Sequence, residues 1–497
     1  MLKIRRMTQK SVRPSPKPAE MRNNFPMPNL IFYVLLCGFS FAAQAQVGVQ
    51  DRYQVRFDDK LETVSIQACF GAKPPTRLYH NSQASRFASP ISGAGVNFRL
   101  QSGAESTRIP DFKPNSCLNW EVDINKAASQ SDIRFAMRVG SDIVTDGDLW
   151  FWRGSGGRKV RVEVSLPAGI NISVPWKQIG EPESQLSRTI WTFKPYETNA
   201  AWTSRIAVGR FSKQVIPIAG SQIQLAILGS LPVKQNKKLT QWVRQSSSAV
   251  ATVNGSFPQL APQLLVVPIG PRSNPVPWAH VMRGGGVSAE FFVDETRPLE
   301  DLTADWTACH ELSHMLLPFV SSRDRWLSEG LASYYQYILL ARSGMLTEQE
   351  AWQGMFDGLQ RGKNGTNRRK TLAEATLEGR DHTMRIYWSG AAIMLKADVQ
   401  IRIATENKHS LDTTLASLQS CCMDTDKRWR ADELFKRLDR LSGTHIFSQL
   451  YDQHVNSKYF PDLTDTWQSL GISSHSNQIA ISETATWSSI RTAIMQK

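Results

Sequence analysis

The chain has 497 residues, a formal net charge of +14 at pH 7 and six cysteines. At about 150 residues per domain, this length predicts two to four domains. Hydrophobic residues make up 41% of the sequence, which excludes a mainly disordered protein, and six cysteines are too few for a small disulfide framework. The basic residues are dispersed rather than gathered in a stripe, so the charge does not indicate nucleic-acid binding.

The first 45 residues have the pattern of a secretory signal peptide. A basic, polar segment precedes an apolar stretch that begins at Asn29, and Ala43-Gln44-Ala45 is typical of a cleavage site. Cleavage before Gln46 predicts a secreted or periplasmic protein without stable membrane insertion beyond this segment. The alternative is an uncleaved membrane anchor, although the apolar stretch is short for a complete span.

Residues 46–230 are predicted to form an N-terminal antiparallel β domain, either a sandwich or a saddle-shaped sheet. Apolar and polar residues alternate over several short segments, which is the pattern of half-buried strands separated by turns. These segments are 53–57, 61–66, 134–139, 159–166 and 222–227.

The cysteines that follow the predicted cleavage site divide into three groups. In an oxidising compartment, Cys69 and Cys117 are candidates to pair within the β domain. The neighbours Cys421 and Cys422 are not expected to bridge each other. Cys309 is expected to be a free, buried thiol, because it lies in a helical pattern where a small apolar residue fits.

The pattern changes near residue 235. A polar helix is predicted over about 236–251, a buried strand over 263–269 and a second strand over about 279–293, and the sequence is mainly helical thereafter. We therefore predict an α+β protein with a second domain over 231–455. The remaining tail, 456–497, is too short for another domain.

The sequence His310-Glu311-Leu312-Ser313-His314 carries the functional prediction. Residues four apart on a helix project from one face, so both imidazoles can reach the same ion. Glu311 can face the open side of that ion. This is the pattern of two zinc ligands and a general base for water, and it predicts one Zn²⁺ per chain.

The residues around this motif predict an amphipathic helix. Asp301 or Thr303 can cap its start, and Pro318 ends it. Its apolar stripe consists of Leu302, Trp306, Cys309, Leu312 and Leu316.

A third ligand is predicted at Glu329, in the first turn of a second amphipathic helix that begins near Trp326. The loop after His314 is long enough to bring this helix back beside the first. Two histidines and one carboxylate leave a fourth position for water, as in catalytic zinc sites. The alternative for Glu329 is an acid that only stabilises the helix N-terminus.

These two motifs resemble those of the gluzincin metallopeptidases, the clan of aminopeptidase N and the glycyl aminopeptidases. The resemblance covers about 235–470. It implies an N-terminal β domain followed by a thermolysin-like, mostly helical zinc peptidase domain. It also implies that His310, His314 and Glu329 bind zinc and that Glu311 is the general base.

Two further segments match the clan. Tyr387, in Ile386-Tyr387-Trp388, matches a tyrosine that stabilises the tetrahedral intermediate; the alternative is an ordinary core tyrosine.

The Gly-rich segment, residues 282–290, resembles the edge strand of the clan. In that strand, the missing side chains let a substrate backbone pair as an added strand. Gly284, Gly285, Gly286 and Val287 are therefore predicted to bind substrate. The acidic residue that holds the substrate amine in the aminopeptidases is missing here, and Glu290 is the candidate substitute.

The sequence thus predicts a zinc-dependent metallopeptidase with an aminopeptidase-like architecture, acting on a peptide or protein substrate. The alternatives are an endopeptidase of the same clan and a catalytically idle peptide-binding protein of the same fold. The presence of Glu311 and Tyr387 argues against the idle protein, since such a protein does not need a base.

Overall fold

A computed structural model describes residues 50–156, 158–195, 204–423 and 427–496. The signal peptide predicted for residues 1–45 lies outside these ranges. Within them, no helix combines the length and the apolar character needed to cross a bilayer.

The N-terminal region is built mainly of strands, as the alternation predicts. In β1, for example, Tyr53, Val55 and Phe57 are buried while the residues between them are exposed. The strands of this region are β1 (Gln50–Phe57), β2 (Thr63–Phe70), β3 (Arg77–Tyr79), β4 (Ile91–Gly93), β5 (Val96–Phe98), β6 (Ser106–Arg108), β7 (Ser116–Asp123), β8 (Ala136–Val139), β9 (Asp142–Asp146), β10 (Arg153–Gly154), β11 (Lys159–Pro167), β12 (Asn171–Ser173), β13 (Lys177–Gln178), β14 (Glu183–Gln185), β15 (Arg188–Lys194) and β16 (Arg205–Gly209).

One large sheet dominates this region. Its strand order is β13-β15-β11-β1-β2-β7-β4-β5, with β14 paired to β15. Neighbouring strands are antiparallel except β1 and β11, which are parallel. Two smaller sheets, β10-β3-β6 and β12-β16-β9-β8, cover the core. Four tryptophans fill it, because large aromatic rings bury the most apolar surface per residue: Trp120, Trp150, Trp152 and Trp176.

A five-stranded sheet begins the second region. Its strands are β17 (Ser212–Ile218), β18 (Ser221–Ile227), β19 (Gln263–Pro268), β20 (Trp278–Met282) and β21 (Ser288–Val293), in the order β17-β18-β19-β21-β20. Segment 222–227, which the alternation grouped with the N-terminal domain, therefore pairs in parallel with β19. The domain boundary at residue 230 stays a prediction. The segment predicted as one strand over 279–293 is an antiparallel hairpin, β20 and β21.

Helices pack on this sheet and on each other, and the largest hydrophobic core lies between them. The α+β fold class predicted from the sequence is confirmed. The helices of the chain are α1 (Ile124–Gln130), α2 (Val233–Asn254), α3 (Leu299–Ala304), α4 (Thr307–Ser313), α5 (Arg325–Arg342), α6 (Glu348–Asn364), α7 (Leu372–Glu378), α8 (Thr383–Ala404), α9 (Leu411–Cys422), α10 (Ala431–Ser442), α11 (Ile446–His454), α12 (Thr464–Ser469) and α13 (Ser488–Met495).

The helix that carries the His-Glu-x-x-His motif begins later than predicted. The chain forms α3, breaks at Asp305, and starts α4 at Thr307, whose backbone N–H donates to the Asp305 carboxylate. The hydrogen-bond acceptor at the start of the motif helix is therefore Asp305, and not Asp301 or Thr303 as predicted. The last turn, His314–Leu316, is a 3-10 helix.

The cysteines follow the predictions in part. Cys69 and Cys117 face each other on β2 and β7 and form a disulfide, and Cys309 is free and buried. Cys421 and Cys422 are bonded to each other, so the expectation that they stay apart is wrong.

The tail beyond residue 455 does not form a domain of its own. It contains α12, a hairpin of β22 (Ile472–His475) and β23 (Gln478–Ile481), and α13. Buried residues of the tail, such as Ile494, belong to the large helical core.

Candidate active site

The two motif histidines and Glu329 converge on one point. The Nε2 atom of His310 and that of His314 each lie 3.4 Å from the same Glu329 carboxylate oxygen. One donor atom from each of the three residues falls within 4.8 Å of the others. This convergence arises because α4 and α5 pack side by side, which brings the first turns of α5 back against the motif.

Outer hydrogen bonds orient both imidazoles for metal binding. The Nδ1 atom of His310 lies 2.9 Å from the Gln336 side-chain oxygen, and Nδ1 of His314 lies 2.9 Å from the Ser328 hydroxyl. Since an amide oxygen only accepts, Nδ1 of His310 carries the proton and its Nε2 lone pair faces Glu329. This donor set, two imidazoles and a carboxylate, fits zinc. The hydrogen bond at Nδ1 of each histidine is also typical of zinc ligands.

The electrostatics of Glu329 suit a metal ligand. Burial opposes the charged carboxylate, but the two imidazoles outweigh burial and hold the pKa of Glu329 well below its usual range. The group therefore stays ionised, as ligand binding requires.

Glu311 lies beside the cluster, close enough for its charge to interact with both histidines and with Glu329. Burial raises the pKa of its carboxyl group, while the nearby His314 and His310 act in the opposite direction. The backbone N–H of Val281, in the edge strand β20, donates to the same carboxylate. A general base is most effective when its pKa lies near the working pH, so a raised pKa makes the Glu311 carboxylate a better base near neutral pH.

Tyr387 reaches the cluster from α8. Its ring is nearly parallel to that of His310, with 5.7 Å between the ring centres. Burial and the carboxylates of Glu329 and Glu311 raise its pKa, so the phenol keeps its proton and can donate a hydrogen bond. This placement depends on a close crossing of α5 and α8 at Gly330 and Gly390: a Cβ atom built on Gly390 would lie 2.1 Å from the Trp326 carbonyl oxygen.

The Gly-rich segment is a loop and not the edge strand that the sequence analysis predicted for it. It reverses the chain between β20 and β21, with Gly285 in the left-handed region at φ 68°. The strand that follows, β21, is paired on both sides, by β19 and β20. An added substrate strand therefore cannot pair with β21, whereas β20, which leads into the loop, pairs on one side only among the described strands.

The N-terminal region holds this loop. The Ser204 hydroxyl donates to the Gly284 carbonyl oxygen at 2.5 Å. A Cβ atom on Gly286 would lie 1.9 Å from the Pro175 carbonyl oxygen. The missing side chain thus admits the N-terminal region, and the role of Gly284, Gly285, Gly286 and Val287 in binding a substrate backbone stays a prediction.

Glu290 is not placed to hold a substrate amine. Its side chain is fully buried, and each carboxylate oxygen lies 2.8 Å from a guanidinium nitrogen of Arg205. Arg205 is also fully buried and contacts Asp146 at 3.0 Å. A fully buried carboxylate that is ion-paired with Arg205 is not accessible to a substrate amine, so the prediction of Glu290 as an anchor is corrected to a contact between β16 and β21.

The residues that support the candidate metal ligands were not predicted from the sequence. Ser328 directly precedes Glu329, and Gln336 follows it by seven residues, or two turns of α5. Polar residues at such spacing on the ligand-bearing face of a helix were a usable signal for the outer hydrogen bonds.

Solved structures of low sequence identity share this fold. An aminopeptidase N family protein from Idiomarina loihiensis is 15% identical, with a TM-score of 0.67 over 85% of this chain and 78% of that chain. The M1 zinc metallopeptidase from Deinococcus radiodurans is 14% identical, with a TM-score of 0.54 over 84% of this chain and 94% of that chain. A variant of that enzyme bound to a Tyr-Ser-Ala substrate is 16% identical, with a TM-score of 0.54 over 84% and 95%. The fold is thus that of the aminopeptidase-like metallopeptidases.

The sequence itself points in the same direction. The model of the M61 glycyl aminopeptidase family matches residues 319–401, a segment that includes Glu329 and Tyr387. None of the curated proteins compared with the chain matches it in sequence. The predicted resemblance to the gluzincin peptidases is confirmed, and the family match and the fold together support a peptidase, a class of hydrolase.

Proposed function

We propose that this protein is a zinc-dependent metallopeptidase that hydrolyses peptide bonds with a single bound Zn²⁺. The observation that carries the proposal is the convergence of His310, His314 and Glu329, with the Glu311 carboxylate and the Tyr387 phenol beside them. A fold alone does not define a function, but this set of donors is chemically specific.

The residues divide the chemistry among them. His310, His314 and Glu329 would hold the zinc ion, which when bound would supply Lewis-acid chemistry to the scissile carbonyl and to water. Glu311 takes the proton of the attacking water and transfers it to the leaving amine. The Tyr387 hydroxyl, which keeps its proton, donates to the oxygen on which negative charge develops. Gln336 and Ser328 keep the imidazoles in position.

The metal is tested by elemental analysis of the purified protein. We expect one zinc ion per chain and a strong loss of zinc in His314→Ala, because two remaining ligands hold the ion weakly. His409→Ala, at an exposed histidine outside the cluster, is the matched control. Full zinc occupancy in a folded His314→Ala protein would refute the ligand assignment.

The base is tested by Glu311→Gln, which keeps the size of the side chain but cannot accept the proton. We expect normal zinc content and thermal stability, and a rate at least about a hundredfold lower. Glu300→Gln, an equivalent change at an exposed carboxylate, should behave as wild type. A Glu311→Gln variant with more than about a tenth of the wild-type rate would assign the base to another group.

We further propose that the enzyme has only a weak preference for substrates with a free N-terminus. The clan's acidic residue is missing from the Gly-rich loop, and Glu290 is occupied by Arg205. Acetylating the N-terminus of a peptide should therefore change kcat/KM by less than about tenfold, or 1.4 kcal/mol. A strict requirement for the free amine would contradict this and identify an amine anchor elsewhere in the site.

A secreted or periplasmic location is also proposed, from the sequence pattern of residues 29–45. N-terminal sequencing of the protein recovered from its native compartment tests it. We expect a mature chain that starts at Gln46. A chain that keeps residues 1–45 and fractionates with membranes would instead support the uncleaved anchor.

A further inference from the structure

Beside the candidate active site, one guanidinium has buried N–H donors that no acceptor of the described residues satisfies. Arg325 is the first residue of α5, one helical turn before Glu329. Its Nε and Nη2 atoms are buried and, among the described residues, find no hydrogen-bond acceptor. Buried N–H groups are nearly always paired in folded proteins, so an unpaired guanidinium calls for an explanation.

The nearby acids are engaged elsewhere. Asp324 lies 3.0 Å from the guanidinium of Arg430, and it also accepts from the backbone N–H of Ala431. Glu329 is directed towards the two histidines. Arg283, another arginine beside the motif, donates to the carbonyl oxygens of His314 and Leu317. Arg325 therefore differs from these neighbours in having buried N–H donors without an acceptor among the described residues.

The position of Arg325 is also unfavourable for the helix. The N-terminus of an α-helix carries partial positive charge, and a cation in its first turn is destabilising. Residues that are locally unfavourable in two ways, by charge and by unpaired donors, are more typical of binding sites than of structural positions. These costs are offset when an anion binds.

Arg325 lies on the side of α5 that faces the candidate active site. Residues 325, 328 and 329 lie on neighbouring positions of one helix face, the face on which Ser328 and Glu329 contact the motif histidines. The charge of Arg325 also acts on Tyr387, where it favours the phenolate. A substrate that lies against Tyr387 thus comes within reach of the guanidinium.

We propose that Arg325 binds a carboxylate of the substrate and so makes the enzyme selective for peptides with an anionic group close to the scissile bond. A guanidinium with two free N–H donors matches the two oxygens of a carboxylate. That carboxylate is either the C-terminus of a short peptide or an acidic side chain. The inference rests on the proposed function, since it assumes that a peptide occupies this cleft.

Binding measurements without turnover test this inference. In the zinc-loaded Glu311→Gln protein, calorimetry compares Ala-Ala-Ala with its C-terminal amide, and the amidated peptides Ala-Asp-Ala and Ala-Asn-Ala with each other. Arg325→Gln is added to this background. Arg323→Gln, which changes an exposed arginine two residues away, is the matched control.

We expect Arg325→Gln to weaken binding of a carboxylate-bearing peptide by about tenfold to a hundredfold, the usual contribution of a hydrogen bond to a charged group. The corresponding amide should bind with unchanged Kd, and Arg323→Gln should have no effect. Which pair responds identifies the source of the carboxylate. Arg325→Lys, which keeps the charge but loses the planar fork, should give an intermediate loss.

Two results would overturn the inference. An equal loss of affinity for carboxylate and amide peptides would make Arg325 a structural residue. Equal binding of both by the parent Glu311→Gln protein would show that no carboxylate subsite exists, while leaving the peptidase proposal intact. If no peptide binds to a folded, zinc-loaded protein, the proposed function itself fails. Thermal unfolding of each variant verifies that it is folded.

Discussion

A methyl group added at Gly390 should separate the two helices that bring Tyr387 to the metal ligands. The new Cβ of Gly390→Ala would lie 2.1 Å from the Trp326 carbonyl oxygen and 2.6 Å from the Gly330 Cα. Since non-bonded carbon atoms approach to about 3.5 Å, α5 and α8 must part by roughly 1 Å. Overpacking of this kind costs about 1–3 kcal/mol of unfolding free energy.

We expect α8 rather than α5 to be displaced, because α5 also packs against the motif helix α4. Tyr387 lies on α8, three residues before Gly390, whereas the three metal ligands lie on α5 and on the motif helix with its last turn. A misplacement of about 1 Å in a catalytic group can lower the rate by about a hundredfold. We therefore expect kcat/KM to fall by that order while the zinc content stays at one per chain.

Urea unfolding, elemental analysis and peptide hydrolysis measure the three quantities on one sample. Gly365→Ala is the control, because its backbone φ of −77° suits alanine and its nearest neighbour would be 3.2 Å away. A Gly390→Ala protein that loses stability but keeps full kcat/KM would refute the link between the helix crossing and Tyr387. Loss of zinc would show that the distortion displaces Glu329 on α5 and would contradict the expectation that α8 moves.

Three further predictions concern single side chains. Tyr387→Phe should lower kcat with little change in KM in steady-state assays, because its hydrogen bond is made mainly in the transition state; a raised KM alone would contradict this. Glu290→Gln should lower the free energy of unfolding in urea by about 3–5 kcal/mol, because it leaves the buried Arg205 undercompensated; a change in N-terminal selectivity at unchanged stability would restore Glu290 as an anchor. Burial, together with the charges of Arg205 and Arg134, lowers the pKa of His280 to about 3. Because the unfolded chain then binds a proton that the folded chain does not, stability should fall as pH drops below about 6.5, and His280→Gln should reduce this fall between pH 7 and pH 4.5; an unchanged pH dependence would contradict it.

The sequence was informative wherever the signal was local. Four-residue spacing on a helix places His310 and His314 on one face whatever the rest of the chain does, and alternation identified β1 and its neighbours. Glu329 required a second helix to fold back, and the motif around it supplied that expectation. The structure brings all three residues together.

Sequence patterns did not predict contacts in which the partner of a residue is distant in sequence. All six residues of β21 are buried, so its pattern does not indicate a partner for Glu290, and Arg205 lies 85 residues away, on another sheet. The run over 279–293 has the composition of a single strand, and only the left-handed backbone at Gly285 turns it into a hairpin. Likewise, the sequence does not show why a glycine is needed. Gly286 leaves room for the backbone of Pro175, and the sequence cannot distinguish this role from leaving room for a substrate.

The contact between β16 and β21 limits which truncated forms of this protein can fold. A fragment that starts at residue 231 would lack β17 and β18, two of the five strands of its own sheet. It would also carry the Glu290 carboxylate in its interior without the guanidinium that neutralises it. Truncation to a minimal catalytic piece should therefore yield aggregates instead of a smaller enzyme, and a chimera that replaces the N-terminal region with that of a relative must carry Arg205 along.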